Sequence, residues 1–193
     1  MINVIKVDLY GHILEKGVIV HGLFVDSYSK KPKVVFPINN RYIIAMDNEQ
    51  CIYIVDSGIS VSNGKISSVG SSSVSYSYSY SDKDKFERIG DAYFTYSTDY
   101  NEKGKISKIG NTYVYYEHNS YYESKGKIRL IDNLYVFYWP TGDDFGKVKC
   151  VGDTYFYYYP SYSTEKGNIK TAGNISIYYD GYGRVTQIGN YRI

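Results

Sequence analysis

Gly104-Lys-Ile-Ser-Lys-Ile-Gly-Asn-Thr-Tyr-Val-Tyr-Tyr116 carries the pattern that decides the fold. A glycine, a lysine and two aliphatic residues three apart, Ile106 and Ile109, lead into Gly110-Asn111, residue types that tolerate the left-handed backbone of a tight turn. Past the turn the side chains alternate with period two, Val114 and Tyr116 on one face and Tyr113 and Tyr115 on the other. The segment reads as a β-hairpin: a short strand, a tight turn and a longer tyrosine-rich strand.

The frame recurs seven times. Its glycine position is filled by Gly64, Asp84, Gly104, Gly126, Gly146, Gly167 and Gly183, at spacings of 20, 20, 22, 20, 21 and 16. Two residues later come Ile66, Phe86, Ile106, Ile128, Val148, Ile169 and Val185, and five later Val69, Ile89, Ile109, Ile131, Val151, Ala172 and Ile188. In the first six units the fourth residue after the turn is apolar (Val74, Phe94, Val114, Val136, Phe156, Ile177) and the sixth is tyrosine (Tyr76, Tyr96, Tyr116, Tyr138, Tyr158, Tyr179). The opposite face runs from Ser73 and Ser75 through an aromatic middle back to Ser176 and Tyr178. Pro140 and Pro160 take equivalent places, where they stop the strand.

Self-similarity at this period marks a repeat array. The expected fold is all-β: an antiparallel meander of tandem hairpins of about 20 residues, forming an extended, twisted or rolled sheet with an N-terminal β cap. Residues 64–193 form the array and 1–63 the N-terminal segment, where strands are expected over 4–9, 18–25, 34–37, 42–46 and 52–55, with a hairpin turn after Met46. Composition shifts at the same place, since 4 of the 26 tyrosines precede residue 70. The serine- and tyrosine-rich run 71–81 keeps Val74 and Tyr76 in register and reads as one extended strand.

With 22 basic and 20 acidic residues the net charge is +2, which argues against nucleic acid and against an anionic membrane. The start has no basic region followed by an apolar run, so a cytoplasmic location is expected. No stretch approaches the roughly 20 apolar residues of a spanning helix.

The last unit, Ile177-Tyr-Tyr-Asp-Gly-Tyr-Gly-Arg-Val-Thr-Gln-Ile-Gly189, resembles the tyrosine-aspartate (YD) repeats of bacterial toxin shells and related surface proteins. That resemblance implies hairpins winding into a continuous β-sheet. The pattern Gly-Lys-Ile-x-x-Ile-Gly-Asn-x-Tyr-Val-Tyr-Tyr is also similar to choline- and glucan-binding cell-wall repeats, where aromatic residues of neighbouring hairpins form the ligand site.

Little in the chain suggests catalysis. His12, His21 and His118 share no spacing, Asp82 with Asp84 and Asp143 with Asp144 read as turn acids, and Cys51 and Cys150 make no metal knuckle. No enzyme activity, metal or other cofactor is expected. Two surfaces stand out. Tyr113, Tyr115, Tyr135, Phe137, Tyr155 and Tyr157 share one face of three neighbouring hairpins, a binding surface if exposed and core if the sheet rolls over it. Lys65, Lys85, Lys105, Lys127, Lys147 and Arg184 form a basic ladder that either follows an acidic partner or keeps the sheet soluble and its edges unpaired. The expected role is a protein-interaction or scaffold module, with self-association through the C-terminal edge strand near residues 189–193; the alternative is a carbohydrate-binding module using the tyrosines.

Overall fold

The computed structural model describes residues 1–119 and 124–193, an all-β chain in two antiparallel sheets. The first sheet has seven strands: β1 (Ile2–Val7), β2 (Ile13–Val20), β3 (Leu23–Asp26), β4 (Pro32–Val34), β5 (Phe36–Pro37), β6 (Ile43–Met46) and β7 (Ile52–Val55). The second has fifteen, opened by β8 (Ile59–Ser62). Short strands then alternate with longer ones: β9 (Lys65–Val69), β10 (Ser72–Tyr76), β11 (Phe86–Ile89), β12 (Ala92–Tyr96), β13 (Ile106–Ile109), β14 (Thr112–Tyr116), β15 (Ile128–Ile131) and β16 (Leu134–Tyr138). The series ends with β17 (Val148–Val151), β18 (Thr154–Tyr158), β19 (Ile169–Ala172), β20 (Ile175–Tyr179), β21 (Val185–Ile188) and β22 (Tyr191–Arg192). Among the described residues no helix is long and apolar enough to cross a membrane.

Two aliphatic residues three apart cannot both face inward along a regular strand. A β-bulge in every repeat resolves this: Tyr115 pairs with Leu130 and Tyr116 with Ile128, so Arg129 is the extra residue, and Ile128 and Ile131 both turn inward. The same shift recurs between each long strand and the next short one. Asp84 and Asp132, which replace glycine in the frame, keep its left-handed backbone at φ of 67° and 47°.

The seven-stranded sheet runs in the order β4-β3-β2-β1-β7-β6-β5. Its outermost strands, β4 and β5, are separated in the chain only by Val35, so the two edges meet and the sheet curls into a nearly closed barrel. Val4, Phe24, Val35, Ala45 and Tyr53 fill the barrel as one buried cluster. Their strand neighbours point outward: Ile5, Leu23, Val25, Phe36, Ile43, Ile52 and Ile54 join the inward residues of the hairpins in a second, larger core. The array is thus a sleeve laid on the barrel's outer surface.

Hydrogen bonds at the barrel's turns, three to backbone carbonyls and two to side-chain amide oxygens, fix this wrap. The N–H groups that begin the short strands donate to successive barrel acceptors: Ile66 to Gly11 O (2.9 Å), Phe86 to Leu9 O (2.8 Å), Ile106 to Gln50 Oε1 (2.8 Å), Ile128 to Asn48 Oδ1 (2.8 Å) and Val185 to Lys30 O (2.8 Å). At the other end Gly90 lies against Tyr42, Gly110 against Asn40, and Tyr191 against His21. Both ends of the sleeve therefore return to the barrel.

Several expectations change. Residues 34–37, expected as one strand, are divided at Val35 between β4 and β5, the two edges of the seven-stranded sheet. Residues 18–25 are two strands, because His21 (φ 48°) and Gly22 (φ 75°) make a tight turn between β2 and β3. Residues 71–81 are not one strand: β10 stops at Tyr76, and 77–81 lie in the loop to β11. Ile59–Ser62, placed in the N-terminal segment by the repeat frame, pairs with β9, so the two sheets part between Val55 and Ile59. The N-terminal segment also does more than cap the first hairpin, since its contacts reach from β9 to the last strand.

Candidate functional site

The alternation that sends Val114, Val136 and Phe156 into the core turns Tyr113, Tyr115, Tyr135, Phe137, Tyr155 and Tyr157 outward, each 43–55% exposed. Within a strand the rings stand side by side and nearly parallel: Tyr113 and Tyr115 at 6.4 Å and 17°, Tyr135 and Phe137 at 6.2 Å and 22°, Tyr155 and Tyr157 at 6.5 Å and 20°. The intervening short strands place Leu130 between Tyr115 and Tyr135, and Cys150 between Phe137 and Tyr155. Cys150 is buried under those rings, and burial pushes its thiol pKa up, away from the reactive thiolate. The array rolls with this face outside and the barrel inside, which settles the exposure of all six rings.

Beside the face lies a groove of about 590 Å³ lined by Arg129, Tyr135, Phe137, Trp139, Phe145 and Glu117 among others. Trp139 tilts against Tyr157 at 6.0 Å, and Lys149 sits 5.1 Å over its ring. The Arg129 guanidinium is exposed and makes no hydrogen bond or ion pair among the described residues. The repeat frame ends at the sixth-position tyrosine and so misses Trp139; extending the alternation Tyr135, Phe137 by one step finds it.

The basic ladder is built into the fold. Lys65, Lys85, Lys105, Lys127 and Lys147 lie 4.6–5.3 Å over the rings of Tyr76, Tyr96, Tyr116, Tyr138 and Tyr158. Three of them also donate to the next hairpin's loop: Lys85 to Gly104 O (2.9 Å), Lys105 to Gly126 O (2.6 Å) and Lys127 to Gly146 O (2.8 Å). Lys65 pairs with Asp84 and Lys147 with Asp144, while Arg184 pairs with Asp180 and covers Tyr182. Lys65, Lys85, Lys105 and Lys127 thus join neighbouring hairpins, while Lys147 and Arg184 brace their own loops.

The remaining candidates stay apart. His12 pairs with Asp8, His118 with Glu102, and Asp82 with Lys85, while Asp143 accepts from the Ser161 N–H. Asp47, Glu49 and Cys51 gather within 4.8 Å at one end of the barrel, but the buried Lys6 ammonium already pairs with Asp47 (3.3 Å) and Glu49 (3.0 Å). Burial disfavours that ammonium, yet the Glu49 hydrogen bond and the Asp47 charge outweigh it and hold the Lys6 pKa above its ordinary value. Burial and the Asp47 carboxylate push the Cys51 thiol up to about 12. The cluster is an ammonium shared between two carboxylates with a protonated thiol beside it, a poor donor set for a metal.

The C-terminal edge strand β22 pairs with β21 on one side, and Lys30 Nζ reaches the Ile193 carbonyl at 3.1 Å. Comparison of the chain with protein-family models, curated proteins and solved structures yields no match.

Proposed function

We propose that the protein is a non-catalytic binding module that holds a protein partner against the outer face of β14, β16 and β18. The observation that carries this is the continuous set of six half-exposed rings on a sheet whose other face is anchored to a barrel. Rigid aromatic side chains lose little rotamer freedom on contact and dominate interface energetics, and a patch of this kind marks an interaction site. The adjoining groove supplies a pocket for one anchor side chain, with Arg129 free for a carboxylate or carbonyl of the partner. The two-residue β22 edge offers a second copy few ladder bonds, so the face is the better surface.

The test places a photo-cross-linking phenylalanine analogue at Tyr135 and measures the affinity of each protein it captures for the purified chain. Tyr115→Ser with Phe137→Ser and Tyr157→Ser is expected to weaken such a partner at least ten-fold without lowering Tm by more than a few degrees. Unchanged affinity would reject the face as the site. The near-parallel ring pairs also suit sugar faces; binding to soluble glycans, lost in the same triple variant, would favour the carbohydrate reading.

A further inference from the structure

The last hairpins break the aromatic alternation of the outer face. The third residue after the turn is tyrosine in four hairpins, at Tyr93, Tyr113, Tyr135 and Tyr155, and serine at Ser73 and Ser176. Ser176 leaves open the space that a ring would fill. Beside it the chain meets the barrel again, where the β2–β3 turn brings His21 against Tyr191 at 5.8 Å. A groove of about 500 Å³ results, within the range of small-molecule sites. Its lining comes from β20, β21, the tight turns that precede β20 and β22, and the barrel turn, so it exists only where the sleeve returns to the barrel.

The lining holds no carboxylate, lysine or arginine. Arg192, opposite Gln187 across the β21–β22 ladder, lies outside it. Its polar groups are amides and hydroxyls. Asn174 and Asn190 stand exposed in successive tight turns, Ser176 follows on β20, and Gln187 faces Tyr178 across the β20–β21 ladder. Among the described residues, neither asparagine amide nor the Ser176, Tyr178 and Tyr191 hydroxyls have a hydrogen-bond partner. Gln187 Nε2 donates to Gly189 O at 2.6 Å, which fixes the side chain and leaves its Oε1 as an acceptor. Each asparagine offers one acceptor and two donors on a rigid plane. Tyr178 and Tyr191, 52% and 41% exposed, add apolar ring surface.

We propose that this groove binds a neutral saccharide. A pyranose carries hydroxyls that each donate and accept, which amides and a serine hydroxyl match, and an apolar C–H face, which a phenol ring covers. An anionic ligand would find no cation among the lining residues, and an apolar one would strip water from the amides without pairing them. An extended peptide adds to a free strand edge, but Ser176 and Gln187 lie on β20 and β21, which are paired on both sides. The groove is separate from the face of β14, β16 and β18, and its ligand is independent of the protein partner proposed there.

The experiment is saturation-transfer NMR of the full chain with maltose, cellobiose, lactose and N,N′-diacetylchitobiose. At least one of these is expected to receive saturation at its ring C–H protons and to bind with a Kd of about 1 mM, the level of an open site with few contacts. Ser176→Tyr introduces the residue that four other hairpins carry at this position, and its ring should fill the groove and abolish binding. Asn174→Ala with Asn190→Ala should weaken binding at least ten-fold; both positions are exposed and neither has a positive φ, so thermal unfolding should stay within a few degrees of the parent. The face variant Tyr115→Ser/Phe137→Ser/Tyr157→Ser should bind as the parent does, which separates this groove from any glycan site on the strand face. No transfer to any of the disaccharides, binding that survives both groove variants, tighter binding of digalacturonate, or equal binding of a blocked neutral tripeptide would overturn the proposal.

Discussion

The Tyr116 hydroxyl donates to the Ile106 carbonyl at 2.6 Å, closing the open end of its own hairpin, ten residues apart in the chain. The same bond recurs at 2.6–2.8 Å from Tyr76 to Ile66, Tyr96 to Phe86, Tyr138 to Ile128, Tyr158 to Val148 and Tyr179 to Ile169. Each such tyrosine ties the end of a long strand to the start of its short partner, beneath a lysine in five of the six.

Tyr116→Phe should therefore destabilise the fold although it changes one atom. The Ile106 carbonyl loses a donor, and the Gln50 amide, whose Nε2 donates to the Tyr116 hydroxyl at 3.0 Å, loses an acceptor. The expected cost is about 1–3 kcal/mol in denaturant unfolding, since buried polar groups are left unpaired. A loss below about 0.5 kcal/mol would show that the bond contributes nothing net.

Alkaline pH tests the whole ladder. Burial pushes the Tyr76 phenol from 10.0 up to about 12, and burial likewise raises those of Tyr96, Tyr116, Tyr138, Tyr158 and Tyr179. A folded-state pKa above the unfolded one means that the stabilisation is complete below pH 10.0 and is lost as the pH rises from there toward 12. Phenolate absorbance should rise first from the exposed rings, then steeply with loss of near-ultraviolet dichroism. A single smooth titration with the fold intact would contradict the burial of these hydroxyls.

Two lysines two residues apart, Lys103 and Lys105, should behave differently. Lys105→Met removes the cation over Tyr116 and the donor to Gly126 O, for about 1–2 kcal/mol. Lys103→Met touches neither and should fall within about 0.5 kcal/mol of the parent. Equal denaturation midpoints would remove the structural role given to the ladder.

Gly11→Ala should cost far more than Gly22→Ala. Both glycines hold positive φ, 87° and 75°, but a Cβ at Gly11 would stand 1.9 Å from the Tyr76 hydroxyl oxygen, while at Gly22 it meets nothing within 4 Å. Strain alone gives about 1 kcal/mol at Gly22, and strain plus displacement of Tyr76 about 3 kcal/mol at Gly11. Matching melting temperatures for the two variants would count against the packing of the first hairpin on the barrel.

Hairpin order, tight turns and the outward aromatic residues were legible because period-two alternation and turn chemistry are local. The barrel was not, because it rests on β1 pairing with β7, Val4 opposite Val55, which makes the neighbouring strands β4 and β5 the two edges of one sheet, a relation that no short window contains. Nor could residues 18–25 be divided by residue type alone, since His21 takes its positive φ from the pairing of Val20 with Leu23. For the site, alternation found six of the rings, but the Trp139 groove needs two hairpins side by side. The frame also drew attention to the lysines after the glycine position, such as Lys105, which tertiary contacts absorb, and away from those before it, such as Lys103, which make no ion pair among the described residues.

The anchors from Leu9 round to Lys30 make the inner barrel a gauge for repeat number. Phe86 must meet Leu9, Ile106 Gln50, Ile128 Asn48 and Val185 Lys30, while among the described residues Val148 and Ile169 meet no barrel acceptor where the Val35 seam passes. A chain that gained or lost one whole hairpin would keep every local rule of the frame and still bring the wrong strand to Lys30. Repeat arrays ordinarily lengthen and shorten freely by duplication; this one is counted by the circumference it encloses.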